Sequence, residues 1–470
     1  ETKLSSEVAR SDGTTWICLL SPTASVPSSN PRGNSHGHRR LDVCETTCQY
    51  NTDSDCDDGG PGSEYRFCTL GTDCNACGPR TIGGGGSASA TSAGDTIRLG
   101  SISTAAGSGS LPTIQSGNVS VTNRGVISTT SVGSVGLLTQ SIAGGGGYVA
   151  QSGNKSDYAV VYGSNGNINA AAGDVTVENT GDQITTTANS SPTLVAQSIG
   201  GGGGAIGTSA AAINLGASSE AGAGGNAGNA TVNFTGGTIT TGTSGDAILS
   251  SGILVQSIGG GGGSAGTSYG LISFGAKGGP GGNAGVATAN LSGGSINTFQ
   301  DYAPGVIVQS IGGGGGNGGD ASSAGPISVS VGGDGASGGV GGTAVVNSPS
   351  GAAPVTIKTA GFSAPGILVQ SVGGGGGNGG SSSSGAIGVG ISVGVAIGGK
   401  GGSGAVGGTV SVGESGNPFN ANITTTGDYA AGISATSIGG GGGSGGSAKS
   451  VSGSGGLSVS VGVGGDGGTG

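Results

Sequence analysis

Short segments of alternating apolar and polar residues recur along most of this chain. One type reads Ile-Leu-Val-Gln-Ser-Ile at residues 253–258, another Ile-Ser-Val-Ser-Val at 327–331, and a third Ile-Thr-Thr-Thr at 423–426. These segments are rich in Val, Ile and Thr and are bounded by Gly, Asn, Asp and Ser, which is typical of β-strands. No segment has the period of an amphipathic helix. The sequence therefore predicts an all-β fold.

The segments belong to a repeat in which a polar residue, Ser and Ile or Val precede a run of glycines. Its six copies have their polar residue at Gln140, Gln197, Gln256, Gln309, Gln370 and Thr436. Successive copies are separated by 57, 59, 53, 61 and 66 residues. Such a recurrence indicates stacked units rather than one globular core. We expect an elongated, β-solenoid-like repeat array.

Stacking also explains how a chain with so few large apolar side chains can fold. Aromatic residues are 3% of the composition, so a single unit buries too little area to offset the cost of ordering its backbone, about 1–2 kcal/mol per residue. Neighbouring units must complete the core. We expect inward Ile, Leu and Val to form rows along the stack, and the five repeat glutamines to form a polar ladder.

Glycine is the commonest residue, at 117 of 470. The runs have two interpretations. They are corners, where glycine allows a positive φ or a close approach of backbones, or they are extended polyglycine II helices with three residues per turn. We favour corners, while tracts of the form Gly-Gly-x-Gly-Gly support the second interpretation. Turns are also predicted where Asp-Tyr-Ala recurs, as in Asp301-Tyr302-Ala303-Pro304-Gly305.

The chain is acidic, with Lys+Arg 14 and Asp+Glu 24, but half of the basic residues lie in residues 1–80. The remaining surface is neutral and suited to packing against copies of itself. Without a basic stripe, we expect no nucleic-acid partner. No run of 18 apolar residues occurs, so we expect no membrane-spanning helix. The chain lacks a starting Met and a secretory signal and stops within a further unit, so we expect a processed or truncated portion of a longer protein.

A cysteine-rich segment precedes the repeats. Its six cysteines are Cys44, Cys48, Cys56, Cys68, Cys74 and Cys77, and Cys18 stands apart. This density predicts a disulfide-stapled module over residues 44–80 in an oxidising compartment. Because Cys74-Asn75-Ala76-Cys77 is a C-x-x-C pair, a zinc site is the alternative. Residues 1–43 are predicted to be disordered or processed, and residues 81–470 to form the repeat array.

The same segment carries a candidate calcium site. Its ligands would be Asp53, Asp55, Asp57 and Glu64. Alternating carboxylates, a glycine turn and a returning Glu suit a hard, oxygen-seeking cation, and a solvated acidic loop is the alternative. The Asp-Cys-x-Asp pattern resembles the calcium modules of low-density lipoprotein receptor class A repeats. The segment from Asp55 to Arg80 also resembles a short cysteine motif of extracellular proteins of algae and protists, which implies a eukaryotic source.

Other chemistry is sparse. His36 and His38 lie in a polar linker, and the repeat body has no histidine to activate a serine, so we predict no enzyme and no required cofactor. Candidate N-glycosylation sites in N-x-S/T sequons are Asn118, Asn154, Asn189, Asn229, Asn233, Asn290 and Asn422.

The repeat body resembles the glycine-rich repeats of bacterial autotransporter passengers. The resemblance is clearest from Val306 to Gly319 and from Ile367 to Gly380 and covers roughly residues 100–470. It implies a secreted β-solenoid at the cell surface, often in adhesion. The chain departs from that family in having a cysteine-rich head and no C-terminal translocator barrel.

These observations predict an extracellular or cell-surface structural protein that assembles with copies of itself into a filament or coat. Uncapped ends of a solenoid expose strand edges that template further β-structure. The alternative is a monomeric adhesin that binds glycans or another cell. A second alternative is an ice-binding protein with a flat Thr-rich face.

Overall fold

A computed structural model describes residues 42–43, 80–81, 97–98, 116–146, 148–149, 160–162, 170–215, 220–242, 249–414 and 418–470. All of them belong to one compact unit, Asp42–Gly470. Every regular element in these ranges is a β-strand, which confirms the all-β prediction.

The repeats contribute their strands to five parallel sheets. The first sheet contains Val119–Asn123, Val175–Asn179, Ala230–Phe234, Ala287–Leu291, Ala344–Asn347 and Val410–Val412. The second contains Ile127–Thr129, Gln183–Thr186, Thr238–Thr241, Ser295–Thr298, Val355–Thr359 and Ala421–Thr425. The third contains Leu137–Ile142, Leu194–Ile199, Ile253–Ile258, Val306–Ile311, Ile367–Val372 and Ile433–Ile438.

Two further sheets follow the glycine runs. The fourth contains Ser209–Ala210, Ser268–Gly270, Ala321–Gly325, Ser382–Gly388 and Ala448–Ser454. The fifth contains Ile97–Arg98, Val160–Tyr162, Ile213–Leu215, Ile272–Phe274, Ile327–Val331, Ile391–Ile397 and Leu457–Val463. Tyr148–Val149 pairs with Ala205–Ile206, and Asp42–Val43 pairs antiparallel with Arg80–Thr81.

One passage through the five sheets is called a coil here. An outgoing glycine tract leads from the third sheet to the fourth, as at 312–319, and a returning glycine tract leads from the fifth sheet to the next coil, as at 332–343. Strands pair in register between equivalent positions, so that Gln256 stands between Gln197 and Gln309. This is the β-solenoid-like array that the spacing of the repeats predicts.

The first three sheets enclose the hydrophobic core. Their strands alternate buried and partly exposed residues, as the burial pattern of Ile253–Ile258 shows. Val175, Ile184, Leu194 and Phe234 are among the fully buried side chains, and equivalent residues follow in later coils. In these sheets the predicted inward rows of Ile, Leu and Val are confirmed.

The fifth sheet has the opposite orientation. In Ile327–Val331 the serines are buried, whereas Ile327 is 62% exposed. Ser328, Ser330 and Ser392 point towards the fourth sheet and are fully buried. For these strands the expectation of inward Ile and Val is wrong. The two sheets pack too closely for large side chains, as Gly394 shows: a Cβ there would lie 2.8 Å from the Oγ of Ser450 and 3.1 Å from that of Ser384.

Candidate functional site: the surface between coils

The repeat glutamines form the ladder that the sequence predicts. Each Nε2 donates to the Oε1 of the glutamine in the next coil, from Gln140 to Gln197 at 2.5 Å and from Gln256 to Gln309 at 2.7 Å. Gln197 and Gln309 continue the row to Gln256 and Gln370. The ladder requires one amide at one register position per coil, and an in-register parallel sheet supplies that geometry.

The serine that follows each of these glutamines joins a third-sheet strand to the returning glycine tracts on both sides. The Oγ of Ser257 donates to the carbonyl of Gly228 at 2.8 Å and accepts from the amide of Gly285 at 2.7 Å. Ser371 makes the same two bonds, to Gly342 and Gly408. Both serines are fully buried, and each supplies partners for backbone groups of partly buried glycines. The sequence analysis did not identify this role.

In five of the six second-sheet strands, a threonine at the strand end holds the turn that follows. Thr298 donates to the carbonyl of Ala303 at 2.7 Å, and Thr359 donates to that of Ala364 at 2.6 Å. Thr129, Thr186 and Thr425 bond in the same way, each to the residue five positions later. The turns predicted around Asp301-Tyr302 and Asp428-Tyr429 are confirmed.

This turn contains one left-handed residue in every coil. In an early coil this residue is Gly133, with a φ of 72°. In later coils it is a residue other than glycine with a φ between 48° and 63°: Ser190, Leu249, Tyr302, Ser363 or Tyr429. For residues other than glycine this conformation costs roughly 1–2 kcal/mol. The corner also carries an exposed aromatic row, in which the ring centroid of Phe362 lies 5.7 Å from that of Tyr302 and 5.4 Å from that of Tyr429.

The glycine tracts are bonded to one another through their backbones with a period of three residues. The amides of Gly315 and Gly318 donate to the outgoing tract of the next coil, each at 2.8 Å. The amides of Gly313 and Gly316 donate to Gly282 and Gly279 of a returning tract, at 2.9 and 2.8 Å. Partner numbers fall as donor numbers rise, so outgoing and returning tracts run antiparallel.

Burial in these tracts has the same period. In the outgoing tract, Gly313 and Gly316 are buried, whereas Gly314 and Asn317 are exposed. A Cβ on Gly313 would collide with the carbonyl oxygen of Gly260, whereas one on Gly314 would lie 3.8 Å from its nearest neighbour, the oxygen of Gly375. Two of every three positions therefore require glycine. Among the described residues, no glycine of these tracts has a positive φ. The requirement for glycine comes from the close approach of neighbouring backbones.

Side chains at the third position form rows of their own. The Oδ1 of Asn317 accepts from the amide of Asn378 at 2.8 Å, and the Oδ1 of Asn378 accepts from the amide of Ser444 at 2.9 Å. Asp334 accepts from the amide of Lys400 at 2.9 Å. Each such bond joins neighbouring coils, so the exposed rows also fix the register.

The predicted chemical sites lie largely outside the described residues. These are the six cysteines of residues 44–80, the candidate calcium ligands Asp53, Asp55, Asp57 and Glu64, and the sequon Asn154. Of the other sequons, Asn118, Asn229 and Asn422 are exposed, and Asn189, Asn233 and Asn290 are partly exposed. Asn290 donates to Asn233 at 2.8 Å, so these two form a further rung between coils.

Within the described ranges, no group of three or more His, Cys, Asp or Glu side chains is placed to hold a metal ion. The same ranges contain no helix long and apolar enough to cross a membrane. No family model, curated protein or solved structure matches this chain.

Proposed function

We propose that this chain is a structural protein of the extracellular space or cell surface that assembles with copies of itself into a filament or coat. The observation that carries the proposal is the identity of the contacts from coil to coil. Because each Gln bonds to the next Gln, and each Ser bonds to the same glycine positions in coil after coil, the edge of any coil is complementary to another coil of the same kind. Such an edge accepts a further coil, whether from the same chain or from another copy.

We further propose that the two kinds of glycine tract form layers of polyglycine II helices. Three properties of the tracts support this. Their backbone hydrogen bonds repeat every three residues, their burial has the same period, and a Cβ would collide with a neighbouring backbone at two of every three positions. Polyglycine II has three residues per turn and bonds only to its neighbours. A filament built this way would gain stiffness from backbone contacts in addition to its sheets.

The test is electron microscopy and fibre diffraction of the purified chain. We expect filaments whose aligned samples give an axial reflection near about 4.8 Å, the spacing of paired strands. Particles of single-chain mass at all concentrations would contradict assembly. Adding a calcium chelator tests the acidic head separately, since loss of the filaments would assign residues 44–80 a role at the contacts between copies.

The aromatic row of Tyr302, Phe362 and Tyr429 favours an adhesin as the second candidate. Exposed aromatic rings stack on sugar rings, and here Tyr302 and Tyr429 are held at a positive φ, a backbone conformation that costs stability. Glycan-array binding that is lost in Tyr429→Ala, together with a monomeric chain, would favour the adhesin. No binding by the unaltered chain would exclude this row as a glycan site.

A further inference from the structure

The outer surface of the fifth sheet is an exposed apolar face. It is formed by the outward residues of Ile272–Phe274, Ile327–Val331, Ile391–Ile397 and Leu457–Val463, and we call it the aliphatic face. Ile327, Ile391 and Leu457 are 62%, 62% and 63% exposed. Soluble proteins rarely expose a continuous apolar surface of this kind unless it binds a partner.

The inner surface explains why these residues do not turn inward. Ser328 and Ser384 hydrogen-bond through their hydroxyls at 2.7 Å between the fifth and fourth sheets. Ser273 donates to the carbonyl of Ser268 at 2.7 Å. Small polar side chains fill the narrow space between the sheets. A rotation of the strands would place Ile and Val in that space and would leave these hydroxyls unpaired, so the apolar residues face outward in every coil.

The chemistry of the aliphatic face favours a second copy of this chain as its partner. Its four strands carry no charged residue, so nothing on it selects a charged ligand. Its β-branched side chains stand in regular rows across parallel strands. A face of the same kind fits it well, because two sheets pack face to face about 10 Å apart with interdigitating side chains.

The area suits a weak contact that grows with the number of coils. The four strands have three, five, seven and seven residues, and at about 3.3 Å per residue and 4.8 Å between strands they form a face of roughly 350 Å². Two copies together would bury about 700 Å², which is the size of a weak, transient protein interface. Each additional coil of the same type would extend the face by one strand.

We propose that the aliphatic face pairs with the aliphatic face of a second copy, as a two-fold lateral contact. This rests on the proposed assembly function, for which it names one contact surface. It differs from end-to-end growth, which uses the edges of coils. The face of a sheet and its edges can therefore be tested separately.

The experiment compares the unaltered chain with a triple variant, Val329→Thr, Val393→Thr and Val395→Thr, by sedimentation velocity over a range of concentrations. Threonine keeps the shape and strand preference of valine but adds a hydroxyl to the contact. We expect a dimer for the unaltered chain and at least tenfold weaker association for the triple variant. Ile307→Thr, on the outer face of the third sheet, is the matched control and should dimerise normally.

The outcomes separate the possible partners. Undiminished association of the triple variant, or a monomeric unaltered chain, would overturn the proposal. Flotation of the unaltered chain with phosphatidylcholine vesicles, lost in the variant, would identify a lipid surface as the partner instead. If the triple variant does not fold by circular dichroism, Ile327→Lys tests the same face at one of its exposed residues. If the triple variant forms filaments that are narrower but keep the axial repeat, lateral pairing is lost while end-to-end growth continues. If neither the unaltered chain nor any variant forms filaments, that result counts against the proposed function alone.

Discussion

The serine in each Gln-Ser-Ile segment bonds to two returning glycine tracts at once. Ser257 receives one bond and donates another, and no water reaches it. A hydroxyl is the smallest side chain that does both. The glutamine ladder beside it could be predicted, because an amide recurring at one position pairs with itself. The role of the serine could not be predicted, because serine is common throughout this chain and the glycines that it bonds are distant in sequence.

Replacing this serine should therefore weaken the stack. We expect Ser257→Ala to lower the free energy of unfolding by about 1–3 kcal/mol, because it removes both hydrogen bonds of the serine, each worth about 0.5–1.5 kcal/mol. Chemical denaturation monitored by circular dichroism measures the change. Ser322→Ala, at a partly exposed outward position of the fourth sheet, is the control and should change stability by less than about 0.5 kcal/mol. Equal effects of the two substitutions would contradict the bridging role.

A substitution at the left-handed residue of the turn should instead stabilise the protein. Ser363 has φ 48° where Gly133 stands in an early coil. Ser363→Gly should raise the free energy of unfolding by about 0.5–1 kcal/mol, because the relief of backbone strain exceeds the entropy that glycine loses. Ser363→Ala keeps the strain and serves as the control. A stabilisation by alanine equal to that by glycine would show that the hydroxyl, not the backbone, is responsible.

At the scale of elements, strands were predictable and their orientation was not. Alternation in Ile327–Val331 defines two faces, but period two does not say which face is inside. The usual assumption places Ile and Val in the core. Here the buried residues of the fourth sheet that face the fifth sheet are small, namely serine and alanine. The glycine tracts carried a usable signal, since Gly-Gly-Asp-Gly at residues 332–335 already shows the three-residue period.

That period makes a matched pair of substitutions possible. Gly313→Ala should destabilise the protein by at least about 2 kcal/mol, because its Cβ would meet the backbone of the neighbouring coil and the layer would have to separate. Gly314→Ala, one residue later, points outward and should be tolerated. Thermal unfolding of the two variants checks this. If both are equally tolerated, the layers are not close-packed.

At the scale of the molecule, each coil contacts mainly the coils on either side. Stability is then close to a sum over coils and their contacts, which also makes whole coils removable. We expect deletion of residues 306–366, which joins Gly305 to Ile367, to keep the fold, because equivalent positions there are 61 residues apart. Deletion of residues 306–335 breaks the register and should prevent folding beyond that point. Circular dichroism and hydrogen exchange would distinguish the two variants.

The stack should also be nearly insensitive to salt. Lys277 and Asp334 approach to 3.9 Å, and Lys400 and Asp466 to 3.7 Å, with all four side chains largely exposed. Such pairs contribute about 0–1 kcal/mol. Between low salt and 0.5 M sodium chloride we expect Tm to change by less than about 3 °C, since screening has little to act on. A larger fall on adding salt would point to charged contacts that these pairs do not account for.

The spacing of 53 to 66 residues between equivalent positions has a mechanical consequence. A coil peeled from the edge of the stack under tension frees all of its backbone length at once, at about 3.5 Å per residue. Each release lengthens the chain by roughly 20 nm while the remaining coils stay closed. Pulled from its ends, the protein would therefore extend one coil at a time and absorb mechanical work at each step.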